Sequence, residues 1–370
     1  MAKIFVLHVI TGLGVGGAER SLQKLLKKDS EKFRFLVLSI VPIGKVGVEL
    51  INSGIEVVSL DLKKSRPIPN FKNFLYVLRF NPTVIQGWLT HGNLFSLFLK
   101  IFFLKKSKLI WSFRQSLYTY SDFQKLEKFF LFILKKLSFY VDVATFNSLT
   151  SMDQHKNFGF KFNNIKVIPN GFKENPLSSF IEDEASKKKK FTVGTVARFH
   201  EDKNYEFLVD VCLKVLDFFD DIDFMFVGRG VDWNNPFFQK KIPQNRVKNF
   251  NLMGESMNVH KIYSRFSLYV SASKTEAFSN SIGEAMLSSV PCVVTDVGDS
   301  SFLLGEGGIV VPSGSLEQML NAILTFYKMT SEDRKKIGNQ GRIRIKEKFS
   351  LKKMQADFFN LYEEDALCAE

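Results

Sequence analysis

Two acidic residues, Glu276 and Glu284, stand in the stretch Lys274-Thr275-Glu276-Ala277-Phe278-Ser279-Asn280-Ser281-Ile282-Gly283-Glu284-Ala285-Met286. A carboxylate accepts hydrogen bonds and donates none, so each suits a ligand rich in hydroxyl groups. Around them the chain passes from a strand, Ser267–Ala272, to a helix read from Ile282, Ala285, Met286 and Leu287, with the turn at Phe278-Ser279-Asn280. A helix start presents unpaired N–H groups and the positive end of its dipole, a seat for phosphate or sugar oxygens. Two carboxylates flanking an anion seat fit a ligand with hydroxyls at both ends and phosphates between. A nucleotide-sugar has that layout.

Earlier in the chain, a strand over Phe191–Val196 runs into Ala197-Arg198-Phe199-His200-Glu201-Asp202-Lys203-Asn204. Arg198 and Lys203 can converge on a diphosphate, the first as a fork and the second as a point charge. A strand over Phe224–Val227 ends in Gly228-Arg229-Gly230, and Val247–Gly254 reads as another strand leading to a glycine turn. Asp221-Ile222-Asp223 spells a D-x-D metal motif. It precedes a strand instead of following one, so the expectation is a solvated acidic helix end and no metal.

The first half opens with a near-continuous apolar strand, Lys3–Ile10, as expected of a central parallel strand. Gly12, Gly14 and Gly17 then satisfy G-x-G-x-x-G before a helix carrying Leu22, Leu25 and Leu26. A dinucleotide site also needs an acid after the second strand to hold the ribose. That strand, Phe33–Ile40, runs into Val41-Pro42-Ile43-Gly44-Lys45, which has none. NAD is disfavoured, yet the glycines still admit a ligand to the backbone at a helix start. Strands at 56–60, 84–86, 109–112, 143–146 and 165–168 alternate with helices, a Rossmann-like order. Two strand ends draw interest for acceptor binding: Trp88–Asn93, with His91, and Trp111–Ser116, with Arg114.

Taken together these motifs resemble the family 4 retaining glycosyltransferases. Glu276 and Glu284 match that family's Glu-x7-Glu, Arg198 to Lys203-Asn204 its G-R-x5-K-N with Ala197 in place of glycine, and Gly16-Gly17-Ala18-Glu19 its interdomain loop. Ile168-Pro169-Asn170-Gly171-Phe172 is similar to the family's turn before the linker. The resemblance covers nearly the whole chain and is strongest over 191–312. It implies a GT-B fold: two Rossmann-like domains facing across a cleft, with the C-terminal helix crossing back by its Phe358-Phe359-Leu361-Tyr362 face. The domains implied are an N-terminal acceptor domain, 1–172 plus roughly 352–370, a linker, 173–190, and a C-terminal donor domain, 191–351. The activity implied is transfer of a sugar, with retention, from a nucleotide-sugar of UDP type to a glycan or lipid-linked acceptor of a bacterial surface glycan such as lipopolysaccharide or capsule. Glu276 would then orient the donor sugar and Glu284 the ribose. Arg198 and Lys203 would neutralise the leaving diphosphate. Phe278, Ser279, Asn280, Gly228, Gly254 and Gly17 would line the donor. No metal or other cofactor is implied. Where many members carry a histidine after the 109–112 strand, this chain has Arg114, which puts a catalytic imidazole there in doubt and leaves His91 as the other acceptor-side candidate.

The chain has 370 residues, enough for two domains, and 45% hydrophobic content, ordinary for packed cores. Three scattered cysteines, Cys212, Cys292 and Cys368, argue against a disulfide framework or a zinc site and fit a reducing cytoplasm. The most apolar run, 94–104, is interrupted by Lys100 and is too short to span a bilayer, and no signal peptide is read at the N-terminus. Residues 1–170 carry 25 Lys and Arg against 10 Asp and Glu. Such a basic half suits an anionic partner. The Lys- and Phe-rich segment 123–140 fits either a peripheral contact with the cytoplasmic face of the inner membrane or a core helix with a solvated lysine face. No nucleic-acid motif is present, so nucleic acid is not an expected partner. Two rival readings are a non-catalytic glycan- or nucleic-acid-binding module using the basic half and a sugar-nucleotide epimerase of the same architecture.

Overall fold

In the computed structural model, residues 3–26, 31–63, 65, 68–117, 125–174, 190–256 and 259–364 are described. The chain divides into one unit of residues 1–171 with 351–370 and a second of residues 172–350. Most of the expected linker, and Cys368, lie outside the described residues.

The first unit is built on a seven-stranded, all-parallel sheet: β1 (Ile4–Ile10), β2 (Phe33–Ser39), β3 (Glu56–Ser59), β4 (Val84–Trp88), β5 (Lys108–Phe113), β6 (Val143–Phe146) and β7 (Ile165–Val167), in the order β3-β2-β1-β4-β5-β6-β7. Alternate residues of β1 feed opposite cores, because successive side chains of a strand point to opposite faces. Val6 and Ile10 pack with α1 (Gly17–Leu25), α2 (Lys45–Asn52) and the terminal helix α14 (Leu351–Glu363). Leu7 and Val9 pack with α3 (Phe71–Phe80), α4 (Leu89–Phe102) and α5 (Lys125–Leu137). The terminal helix thus belongs to the first unit. Its Phe358, Leu361 and Tyr362 are buried in that core, and Phe359 lies 4.9 Å from the Phe33 ring.

The second unit holds a six-stranded, all-parallel sheet in the order β10-β9-β8-β11-β12-β13: β8 (Thr192–Val196), β9 (Asp223–Val227), β10 (Phe250–Leu252), β11 (Leu268–Ser271), β12 (Cys292–Thr295) and β13 (Gly308–Val311). One face carries α7 (Tyr205–Leu216), α8 (Pro236–Lys241) and α12 (Leu316–Lys328). The other carries α9 (Val259–Tyr263), α10 (Asn280–Leu287), α11 (Ser300–Leu304) and α13 (Ser331–Lys348).

Two sequence expectations shift. Val247–Asn249, read as strand, closes a 3-10 turn over Gln244–Asn249, because the buried Asn249 amide donates to the carbonyls of Asp220 and Ile222 and holds the backbone off the ladder. The strand read over 84–86 runs on to Trp88 and passes directly into α4, so that Leu89–Asn93, read as lying at the carboxyl end of that strand, already belongs to the helix. Leu89 makes that junction in the left-handed region, at φ 61°. Among the described residues no helix is long and apolar enough to cross a membrane.

Candidate functional site

Ligands of open parallel sheets lie beyond the carboxyl ends of the strands, where the strand order reverses. In the second unit that point falls between β8 and β11. Backbone bonds lace the turns there: Ala197 N–H donates to Val227 O at 2.9 Å, Phe199 N–H to Arg229 O at 2.8 Å, and Gly228 N–H to Gly254 O at 2.8 Å. A Cβ on Gly228 would collide with the Ala197 carbonyl, so only glycine lets the β8 and β9 turns approach this closely.

Lys203 ends a 3-10 turn over Glu201–Lys203, and Asn204 after it turns the chain through the left-handed region into α7. The Lys203 ammonium is bonded to the Glu276 carboxylate, and Ser273 Oγ donates to the same carboxylate oxygen at 3.0 Å. The loops carrying them are also tied through the backbone, with Lys274 N–H donating to Asp202 O at 2.8 Å. Beneath them, Thr295 Oγ1 donates to Ser273 O at 2.7 Å and Asp299 N–H to Ala277 O at 3.2 Å. Gly298, at φ 56°, lies against the Glu276 carbonyl, where a Cβ would clash. Arg198 is exposed on the β8 turn.

Four residues after Glu276, α10 begins with Ser279 as its N-cap. The Ser279 side chain makes no capping bond, so the first-turn amides are not claimed by it. Two buried tyrosines anchor this turn. Tyr269 Oη donates to Ser281 Oγ at 2.8 Å, and Tyr263 Oη reaches Ser281 O at 3.2 Å and Glu284 Oε2 at 3.3 Å. Burial pushes both phenols well above their ordinary range, which keeps them protonated as donors. Phe278 points into the core against Phe172 and Phe349.

The residues picked from sequence in the second unit therefore gather at one sheet end: Lys203 meets Glu276, Gly228 meets Gly254 and the Arg198 turn, and Glu284 shares the base of α10 with Ser279 and Asn280. Sequence reasoning missed Ser273, Tyr263, Tyr269 and Gly298. Tyr269, Ser271 and Ser273 recur at the two-residue period of one strand face, a run of hydroxyls aimed the same way. The D-x-D acids are otherwise engaged: Asp221 accepts from Tyr327 Oη at 2.8 Å, and Asp223 pairs with Lys190. Among the described residues no three His, Cys, Asp or Glu side chains are grouped to hold a metal ion.

In the first unit Gly17 opens α1, with Gly16 at its N-cap. His91 lies exposed in the first turn of α4, edge-on to Phe130 at 5.0 Å. Arg114 is packed over Trp88 and Phe358, 5.1 and 5.3 Å from the ring centres. Its Nη1 donates to Asn170 Oδ1 at 3.1 Å and Ile168 O at 3.3 Å, and Ser21 Oγ of α1 donates to the same Asn170 oxygen at 3.2 Å. Burial lowers the guanidinium to about 10. Arg114 thus ties together the end of β5, the Pro169-Asn170-Gly171 turn and the terminal helix, and among the described residues no hydrogen bond joins it to His91.

Residues 190–329 match the family described as glycosyl transferases group 1. A curated relative, the GtfA subunit of the UDP-N-acetylglucosamine–peptide N-acetylglucosaminyltransferase of Streptococcus agalactiae, is 26% identical over 167 residues, 44% of this chain and 32% of that protein. The chain thus matches about a third of that relative's length. Among solved structures, HepE of Anabaena in complex with UDP is similar at a TM-score of 0.79 and 17% identity, over 98% of this chain and 100% of that one. Sucrose-phosphate synthase of Thermosynechococcus elongatus is similar at a TM-score of 0.78 and 15% identity, over 100% of both chains. The chain has the GT-B glycosyltransferase fold.

Proposed function

We propose that this chain is a retaining glycosyltransferase that moves a sugar from a UDP-sugar to a hydroxyl of a glycan or lipid-linked acceptor in surface-glycan synthesis. The observation that carries the reading is the junction of Lys203 and Glu276 at the switch point of the second sheet, on the loop that leads into the start of α10. The difficult step in such a transfer is the build-up of negative charge on the departing diphosphate. Fixed donors aimed at developing charge stabilise it without reorganising when the bond breaks. Arg198, Lys203 and the first-turn amides of α10 have that role here. Glu276, freed when Lys203 turns to phosphate, accepts from the sugar hydroxyls. Glu284, held by Tyr263, takes the ribose. His91 and Arg114 belong to the acceptor side, with Arg114 as a positioning residue.

The match of residues 190–329 to group 1 glycosyl transferases supports the donor half of this reading. UDP and UDP-glucose bound to HepE, and UDP-N-acetylglucosamine in the name of the curated relative, support a UDP-linked donor. The likeness to the lipopolysaccharide outer core galactosyltransferase WaaB, at a TM-score of 0.68 and 14% identity, supports a surface-glycan acceptor. The deciding experiment is a thermal-shift panel of UDP, GDP and ADP with their sugars, followed by transfer assays with and without chelator. UDP at a hundred times its Kd should add about 2.7 kcal/mol of stability. Selective stabilisation by UDP-sugars and turnover indifferent to chelator are the expected results. A flat panel, or turnover abolished by chelator, overturns the donor assignment or the metal-free step respectively.

A further inference from the structure

The first unit carries a surface that its core does not use. On α5 the buried side chains are Leu131 and Leu134, whereas Leu126, Phe129 and Phe132 point outward, with Phe129 56% and Phe132 50% exposed. Next to it α4 buries Leu97 and Leu99 and turns out Phe98, Ile101 and Phe102, the last 63% exposed. Phe98 lies tilted against Phe102 at 5.1 Å and edge-on to Phe103 at 5.7 Å, and Phe130 of α5 touches His91 of α4, so the two helices adjoin. These rings recur every three or four residues, the spacing of one helix face. The core already has its own leucines, and rings left half in water at that spacing form an apolar patch of the kind that marks an interaction surface.

Charge selects the partner. Residues 62–121 contain ten Lys and Arg and no Asp or Glu. Lys105 and Lys106 stand exposed just after α4, Lys125 and Lys136 are exposed on α5, and Lys136 Nζ lies 5.6 Å from the Phe132 ring centre. Of the acids nearby, Glu127 is exposed on α5, while Asp142 is engaged by Lys100 at 3.0 Å. We propose that the α4–α5 face of the first unit docks on a lipid bilayer bearing anionic headgroups. Phenylalanines enter the boundary between headgroup and acyl chain while lysines meet the phosphates above it. A nucleic-acid strand would engage the lysines and leave most of the rings in water.

The test is co-sedimentation of the full chain with phosphatidylcholine vesicles, with and without phosphatidylglycerol, in the absence of any sugar donor. Its outcome is therefore independent of the transferase reading. The expected result is binding to the anionic vesicles and about tenfold weaker binding to phosphatidylcholine alone. The double variant Phe129→Ser, Phe132→Ser should lose about tenfold in affinity for the anionic vesicles while keeping its melting temperature. Lys105→Glu with Lys106→Glu should weaken binding in the same direction. Phe218→Ser, an equally exposed ring on the second unit, should change nothing. Wild-type chain that stays in the supernatant, a Phe129/Phe132 variant that binds undiminished, or capture of an oligonucleotide in place of vesicles overturns the proposal.

Discussion

Lys203 and Glu276, 73 residues apart in sequence, are bonded to each other across the strands β8 and β11 at the point where the second sheet reverses its order. Their side chains keep 22% and 12% exposure, so the pair remains within reach of an incoming ligand. Most of both side chains is nevertheless out of water, so removing the ammonium leaves the Glu276 carboxylate with Ser273 Oγ as its remaining side-chain donor, and Lys203→Ala should lower the melting temperature measurably. Loss of one fixed donor to developing charge costs about 100- to 1,000-fold in kcat. Steady-state kinetics beside a melting curve checks this. A variant that turns over at the wild-type rate removes Lys203 from the diphosphate.

Gly298 makes a second prediction about the same loop. Its backbone sits at φ 56°, where a residue with a Cβ is disfavoured by about 1–2 kcal/mol, and that Cβ would press on the Glu276 carbonyl. Gly298→Ala should lower stability by at least that strain and also displace Glu276, cutting kcat more than the stability change alone explains. Gly314, at φ 80° with open space around its Cβ position, is the control: Gly314→Ala carries the backbone cost without moving the site. Equal kinetic effects from the two substitutions would show that Gly298 does not position Glu276.

The buried tyrosines separate the two carboxylates. Tyr263→Phe removes a donor from Glu284 and from Ser281 O, whereas Tyr269→Phe removes one from Ser281 Oγ alone. Each lost bond is worth about 0.5–1.5 kcal/mol. If Glu284 holds the ribose, Tyr263→Phe should raise the Kd for UDP several-fold, and Tyr269→Phe should lower stability with little change in Kd. Titration calorimetry with UDP distinguishes these outcomes, and identical UDP affinities in both variants argue against the ribose role.

Much of this arrangement was legible from the chain alone because strand, turn and helix start carry local signatures. The apolar run at Ile4–Ile10 and the turn at Phe278-Ser279-Asn280 are fixed by neighbours close in sequence. What did not show was set by contacts at long range. Ser273 looks like a loop hydroxyl until Thr295 and Glu276 arrive on either side of it. The segment 123–140 reads equally as a membrane-facing or a core-facing helix, since helical periodicity marks a stripe but not which stripe meets the sheet. Arg114 reads from sequence as an acceptor-side residue, whereas its enclosure by Trp88, Phe358 and Asn170 depends in part on a helix more than 200 residues later in the chain.

The first unit also stores a dependence on pH. His155 is buried against Phe113, Phe146 and Phe160, with Nδ1 at 2.8 Å from Ser151 O, and burial holds its imidazole down at about 4. His8, buried beside Trp88 and Tyr362, is held at about 3 by the same cause. Unfolding returns each ring to its ordinary value near 6.5. Above that value neither state is protonated and the histidines do not affect the balance. As pH falls below it the unfolded chain takes up protons that the native one refuses, and each histidine removes about 1.4 kcal/mol of stability per pH unit. The loss continues down to about 4 for His155 and about 3 for His8. His155→Phe keeps a ring in the aromatic cage and deletes the titration, so its stability should fall less steeply than wild type between pH 6.5 and 4. Urea unfolding at pH 7, 6 and 5 measures the two slopes. Parallel curves would mean that His155 charges freely in the folded state and that the rings around it do not exclude the proton.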